Sequence, residues 1–224
     1  GGTGSAVKVD PVIYSTGIAY SDGPLWLAVT YQKHEDWVAA GLKTAASASN
    51  AVASGSDADS WRIAGRYIHD MGNGMSLTLS AMYEELEHEM DNVRATVFTD
   101  FGFDTAAMGN VTAGYNVTIE RDAWLISGKL TTNSPFNFRF MYAQADDYDV
   151  SATFAGGQNN RQSDTGADML VLGVYYSLGD STEFGLTYNE VDNDTYGAYG
   201  TGIGAAGLGA ISSDNEIIAL NVIT

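Results

Sequence analysis

The sequence predicts an all-β chain that forms the wall of a transmembrane antiparallel β-barrel, and three observations predict it. Apolar and polar residues alternate with a period of two in nine separate segments, the pattern of strands with one apolar face. The connections between segments alternate strictly between short turns and long polar loops. The face opposite the apolar one carries Ser, Thr, Ala, Gly and a few Arg and Lys, where a face in bulk water would carry many Lys and Glu. Membrane barrels of this kind have short turns at one end, long loops at the other, and a lipid face edged with aromatics. In lipid, only helices and closed barrels satisfy every backbone N–H and C=O. A soluble β-sandwich or β-helix, as in a surface-layer or adhesin domain, also alternates, but its loops need not be short at one end and long at the other.

Composition sets the outer limits. Mean hydropathy is −0.10, and no apolar run reaches the ~18 residues of a transmembrane helix. A spanning strand needs only about 9–11 alternating residues, so a membrane is not excluded. With no cysteine, disulfides and thiolate metal sites are ruled out. A net charge of −18 argues against nucleic acid as a partner. The opening GGTGSAVKVD has no signal-peptide core, so either one has been removed or the chain begins inside a longer protein. Residues 1–224 read as one domain.

In chain order, Val12–Tyr20 and Leu25–Gln32 form the first strand pair around the turn Ser21-Asp22-Gly23-Pro24. A long Ala/Ser-rich segment, Lys33–Ser60, follows, in which Trp37–Ala53 is a candidate short helix that reads better as loop. The next pair, Trp61–Asp70 and Met75–Glu85, turns at Met71-Gly72-Asn73-Gly74, and Asn-Gly is the favoured hairpin pair. Leu86–Arg121 opens acidic and alternates weakly. It reads as a hairpin rising above the main sheet, with an added strand pair as the alternative. The hairpin Asp122–Asp146 is the clearest. Trp124, Ile126 and Leu130 share one parity and Ser127 and Lys129 the other, while Phe136, Phe138, Phe140 and Tyr142 oppose Asn137, Arg139 and Met141. Asn133-Ser134-Pro135 supplies its turn. After a loop over Tyr148–Gly166, the last hairpin spans Ala167–Val191 around Gly179-Asp180. A Gly-rich loop, Asp192–Ser213, leads to a final strand at Glu216–Thr224.

No nucleophile–base set or His ligand spacing emerges, so neither an enzyme nor a cofactor is expected. His34, His69 and His88 lie in or near loops and turns. Asp146, Asp147, Asp192 and Asp194 are candidate cation ligands, but they lack the spacing of a defined calcium loop and read better as solvated loop charge. The informative residues are Arg62, Arg66, Arg121, Lys129 and Arg139, which all have the parity opposite the apolar face. A lipid-facing Arg or Lys at the bilayer midplane costs about 2–4 kcal/mol, so these five are expected to point into the lumen. There they attract anions, unless lumen acids such as Glu84 and Glu183 pair with them.

At RDAWLISGKL, TGADMLVLGVYYSLGDSTEFGLTYNEVDND and GIAYSDGPLWLAVTYQ the chain resembles the Gram-negative general porins of the β-proteobacterial type. The order and spacing of these motifs carry the resemblance, with Leu86–Glu120 the poorest fit. It implies a trimeric barrel of about sixteen strands in the outer membrane, in contact with lipid and lipopolysaccharide. It also implies passive diffusion of small hydrophilic solutes, with an anion preference in some members. On this reading the chain supplies the C-terminal part of the barrel, and the constriction loop and the remaining strands lie N-terminal to it or on a second chain. The terminal aromatic of that family is not found at Thr224. The competing function is a structural or adhesive surface β-protein with no conducting pore.

Overall fold

A computed structural model describes residues 11–35, 56–93, 115–152, 164–179, 182–195, 197, 199 and 214–223. These hold ten strands: β1 (Val12–Asp22), β2 (Leu25–Glu35), β3 (Ser56–Gly72), β4 (Met75–Val93), β5 (Tyr115–Thr131), β6 (Phe136–Ala145), β7 (Asp149–Ala152), β8 (Ala167–Ser177), β9 (Glu183–Asn193) and β10 (Asn215–Ile223). Nine form one antiparallel path in sequence order, β1-β2-β3-β4-β5-β6-β8-β9-β10, and β7 pairs with the far end of β5. These nine are the strands expected from the alternation. The short β7 is an addition that four residues could not announce by periodicity.

The turns that join the strand pairs are tight for identifiable reasons. Gly72, Asn73 and Gly74 all have positive φ, which a two-residue hairpin turn demands and these residues tolerate. The Asp70 carboxylate accepts the Gly72 N–H at 2.8 Å. In the turn before β6, Ser134 N donates to Thr132 Oγ1 at 3.2 Å and Phe136 N to Ser134 Oγ at 3.3 Å.

Register then carries the alternation across the whole sheet. The row Tyr67–Leu79–Gly128–Phe140–Leu172–Tyr188–Ile218 joins cross-strand partners from β3 to β10 on one face. The adjacent row Arg66–Ser80–Ser127–Met141–Val171–Asn189–Ile217 lies on the other. Tyr67 in turn pairs with Leu25, the first residue of β2, whereas Ile218 is well inside β10. Rows therefore climb relative to the strand ends, the stagger that tilted barrel strands require.

Burial is inverted relative to a water-soluble fold. Phe138, Leu172 and Leu186 are 44%, 46% and 51% exposed, while Thr187 and Asn193 on the opposite face are each 7% exposed. A continuous exposed apolar face of this size belongs against another apolar phase. Aromatics edge it at both levels. Trp61 packs at a tilt against Tyr83 at 5.2 Å and Trp124 against Tyr142 at 5.5 Å toward the long-loop end, and Phe136 meets Tyr176 at 5.1 Å near the turns. Girdle residues direct their polar tips away from the apolar band: Trp61 Nε1 donates to Glu85 at 2.9 Å and the Tyr142 hydroxyl to Asp168 at 2.9 Å.

Leu86–Arg121 behaves as a hairpin rising above the main sheet where it is described. β4 and β5 run on as paired strands to Val93 and from Tyr115, with an irregularity between Met90 and Val93. β3, β4 and β5 reach 17, 19 and 17 residues, beyond the about 9–11 that span a bilayer. Past the girdle their outer face becomes acidic, with Asp57, Asp59, Glu85, Glu87, Glu120 and Asp122. The candidate helix at Trp37–Ala53 lies outside the described residues. His34 and His88 stand on β2 and β4, because these strands extend further than the apolar alternation does, and His69 lies on β3 close to its turn.

Leu172→Arg, on the exposed apolar face, should destabilise the protein in lipid vesicles by about 2–4 kcal/mol, whereas Ser127→Arg on the opposite face should cost far less. Urea unfolding of the vesicle-embedded protein measures both.

Candidate functional site

The five cations predicted from parity lie on one face of the sheet, opposite the exposed apolar band. The structure gives them three different environments. Arg62 and Glu84 are direct cross-strand partners on β3 and β4 and form an ion pair through Arg62 Nε. The Arg62 side chain is 46% exposed, so the pair adds less than about 1 kcal/mol, and its main effect is to cancel charge.

Arg139 sits in a built assembly. Its guanidinium pairs with Glu183 and lies 3.8 Å from the ring centroid of Tyr175. Tyr175 can lie flat because the strand floor beneath it is glycine: a Cβ at Gly173 would meet Tyr175 Cε2 at 2.7 Å, and one at Gly185 would meet Cε1 at 2.5 Å. Asn137 Nδ2 reaches Ser177 Oγ at 3.2 Å and Glu183 at 3.4 Å, which fixes the carboxylate from the other side. Lys129 is the cross-strand partner of Arg139. Neither Lys129 nor Arg66 has an ion-pair partner among the described residues.

Arg121 differs from the other four. Its Nη1 donates to the Tyr148 hydroxyl at 3.1 Å and to the Tyr199 hydroxyl at 2.8 Å, and both rings lie beside the guanidinium, at 5.1 and 5.6 Å. Burial alone would lower its pKa, but the two phenols and Glu84 outweigh that and keep it charged. Burial raises the Tyr148 phenol, so this ring stays neutral. Tyr199 is held in turn by Asn193, whose amide accepts its N–H at 2.7 Å and donates to its carbonyl at 2.9 Å. Arg121 thus ties the segment after β6 and the segment after β9 to the inner side of the sheet.

Counted over the strands, this face carries the five cations against Asp70, Glu84 and Glu183, an excess of positive charge. The acids that give the chain its net charge lie elsewhere. Many stand on the outer face beyond the girdle, and Asp146, Asp147, Asp168 and Asp194 line a cleft at the long-loop end. Partial burial and the Asp147, Asp164 and Asp168 carboxylates raise the pKa of Asp194. Asp192 is raised mainly by its hydrogen bond with Asp214. Asp147 has a structural task, because its Oδ1 accepts the N–H groups of Thr165 at 2.7 Å and Gly166 at 2.9 Å. Among the described residues no group of acids and histidines has the geometry of a metal site.

Past the girdle, His88 on the inner face is held neutral: burial, reinforced by the Arg121 charge, lowers its pKa to about 4. Sequence reasoning placed the cations but missed Tyr148, Tyr175 and Tyr199. The available signal for Tyr175 was a pair of inward-parity glycines, Gly173 and Gly185, flanking it across two strands.

The family model described as Gram-negative porin matches residues 2–196 of the chain. Comparison with curated proteins finds no match.

Two outcomes follow from this geometry. Gly185→Val should displace the Tyr175 ring and with it Arg139, lowering thermal stability and removing Tyr175 from its shielded position, as read by near-ultraviolet circular dichroism. His88 has a folded pKa of about 4 against about 6.5 when free, so the unfolded chain takes up the proton first as pH falls. This histidine therefore removes stability as pH drops from 6.5 towards 4, and His88→Gln should flatten that part of the pH–stability profile.

Proposed function

The chain belongs to the Gram-negative porin family, a family of outer-membrane proteins, and on that premise we propose that it forms a water-filled channel for passive diffusion of small hydrophilic solutes, with a mild preference for anions. Membership itself implies a channel rather than an enzyme. The exposed apolar face then meets lipid and the acyl part of lipopolysaccharide, and the face with Arg62, Arg66, Arg121, Lys129 and Arg139 lines the lumen. A homotrimer is the assembly we assign.

The observation that carries the anion preference is the excess of cations on the inner face, together with the unequal state of those cations. Arg62 and Arg139 are matched by Glu84 and Glu183, so they add little net field. Arg66 and Lys129 have no such partner among the described residues and dominate what a passing ion feels. The acids at the mouth oppose them weakly, because exposed charges are screened beyond about 8–10 Å at physiological salt.

Reversal potential in a planar bilayer under a KCl gradient tests this. The unmodified protein should reverse on the anion side. Arg66→Glu with Lys129→Glu should move the reversal potential to the cation side, and Arg62→Gln, which strips Glu84 of its partner, should move it part of the way. An unmoved reversal potential in the double variant would remove these residues from selectivity. Absence of current in the unmodified protein would favour a structural surface role.

A further inference from the structure

One part of the inner face is not polar. Met82, Leu125, Ala143, Met169 and Val191 are successive cross-strand partners on β4, β5, β6, β8 and β9. The same row continues through Ala64 and Ala28 to Ala19 on β1, so no polar side chain interrupts it from β1 to β9. The next row towards the long-loop end contains Ala123, Ala145 and Ala167 side by side. Three methyl side chains in line leave space that larger residues would fill. A cavity of about 270 Å³ opens there, with Met82, Leu125, Ala143 and Met169 as its floor and Arg121, Glu84 and Tyr199 at its edge.

The charged groups around this cavity are already engaged. Arg121 donates from Nη1 to the Tyr148 and Tyr199 hydroxyls, and its Nε is buried out of reach of a ligand. Glu84 carries the ion pair with Arg62. The Asp168 carboxylate accepts the Tyr142 hydroxyl on the opposite face of the sheet. An ion of either sign would therefore exchange its water for hydrocarbon and thioether, with no free counter-charge to meet it. An uncharged ring meets the reverse balance. A barrel lumen is ordinarily polar, and water gains no hydrogen bonds from a floor of Met and Leu, so apolar area buried there is worth about 25 cal/mol per Å². Size agrees, since an apolar cavity of about 150 Å³ already holds benzene. The floor also favours an aromatic ring over an alkyl chain. Met82 and Met169 flank Leu125 and Ala143 from three strands apart, roughly 14 Å at the usual strand spacing, and thioethers make favourable contacts with aromatic rings.

We propose that this cavity binds an uncharged monocyclic aromatic molecule of the size of a phenol, with its ring on Leu125 and Ala143 between the two methionines. A sugar would leave the floor unmatched, and an ion would leave its own charge unmatched. The inference deepens the channel reading and rests on it: the lumen delivers the ring, and the apolar row retains it beside a path that hydrophilic solutes cross without stopping.

Calorimetric titration of phenol into the folded, detergent-solubilised protein at neutral pH tests it, with protein-free micelles as blank. Benzoate and benzylammonium, which put an anion and a cation on the same ring, are the comparators. The expected result is saturable phenol binding, at least tenfold tighter than either ion. Ala145→Leu, which fills the cavity, and Leu125→Gln, which makes its floor polar, should each weaken phenol at least tenfold. If one of them fails to fold the other carries that arm, and the two ions test the unmodified protein without any variant. No saturable phenol binding, either ion binding as tightly as phenol, or a folded variant that binds phenol unchanged would overturn the proposal. KCl conductance of the same preparation keeps the two readings apart: conducting protein without phenol binding refutes the cavity site and leaves the channel, and phenol binding without conductance does the reverse.

Discussion

Side chains alternate along a strand with a period of two, so a slip of one residue of β6 against β5 and β8 would turn Phe138, Phe140 and Tyr142 inward and Arg139 outward, and the same holds for each strand of the nine-stranded path. At about 2–4 kcal/mol for each Arg or Lys presented to lipid at the midplane, such a slip outweighs most single contacts in the sheet. Register is thus fixed by solvent preference on both faces at once. The short turns support it locally, with Gly72, Asn73 and Gly74 in the left-handed region and the Thr132–Ser134 hydrogen bonds before β6. Each later feature inherits its position from this register, including the ion pair Arg62–Glu84 and the apolar row from Met82 to Val191.

Charge is sorted by face and by height. The chain is strongly acidic, yet its membrane-level inner face is positive, because the acids lie beyond the girdle or in the segments between strands. The cations that remain are unequal. Arg139 is held by Glu183, stacked on Tyr175 and backed by glycines, which makes it a rigid part of the wall. Arg121 is a fastening for Tyr148 and Tyr199. Only Arg66 and Lys129 carry charge unmatched among the described residues, so a description of this face by cation count alone would overstate its field.

The nine long strands, their parity and the turn positions were legible in the sequence because burial of one face in lipid forces alternation throughout. The two acids named as competing partners, Glu84 and Glu183, are those that pair with Arg62 and Arg139: Glu84 is the direct cross-strand neighbour of Arg62, and Glu183 reaches Arg139 across β8 on the same face. What could not be read lies where alternation stops reporting burial. β3, β4 and β5 continue past the girdle with acids on their outer face, so His34 and His88 looked like loop residues although they stand on strands. The partners of Arg121 come from 27 and 78 residues away, in segments with no periodic signal. The cavity depends on three alanines brought into line by register, and no local stretch of sequence contains them.

The central claim is that the exposed apolar face meets lipid and the opposite face does not, and the tryptophans test it directly. Trp61 and Trp124 stand on the apolar face, whereas Trp26 is the cross-strand partner of Arg66 on the inner face. Fluorescence quenching by brominated lipid acyl chains, measured on variants that retain one tryptophan each, reports lipid contact residue by residue. The account predicts strong quenching of Trp61 and Trp124 and little of Trp26. Quenching of Trp26 as strong as that of the other two, or quenching of none, would contradict it.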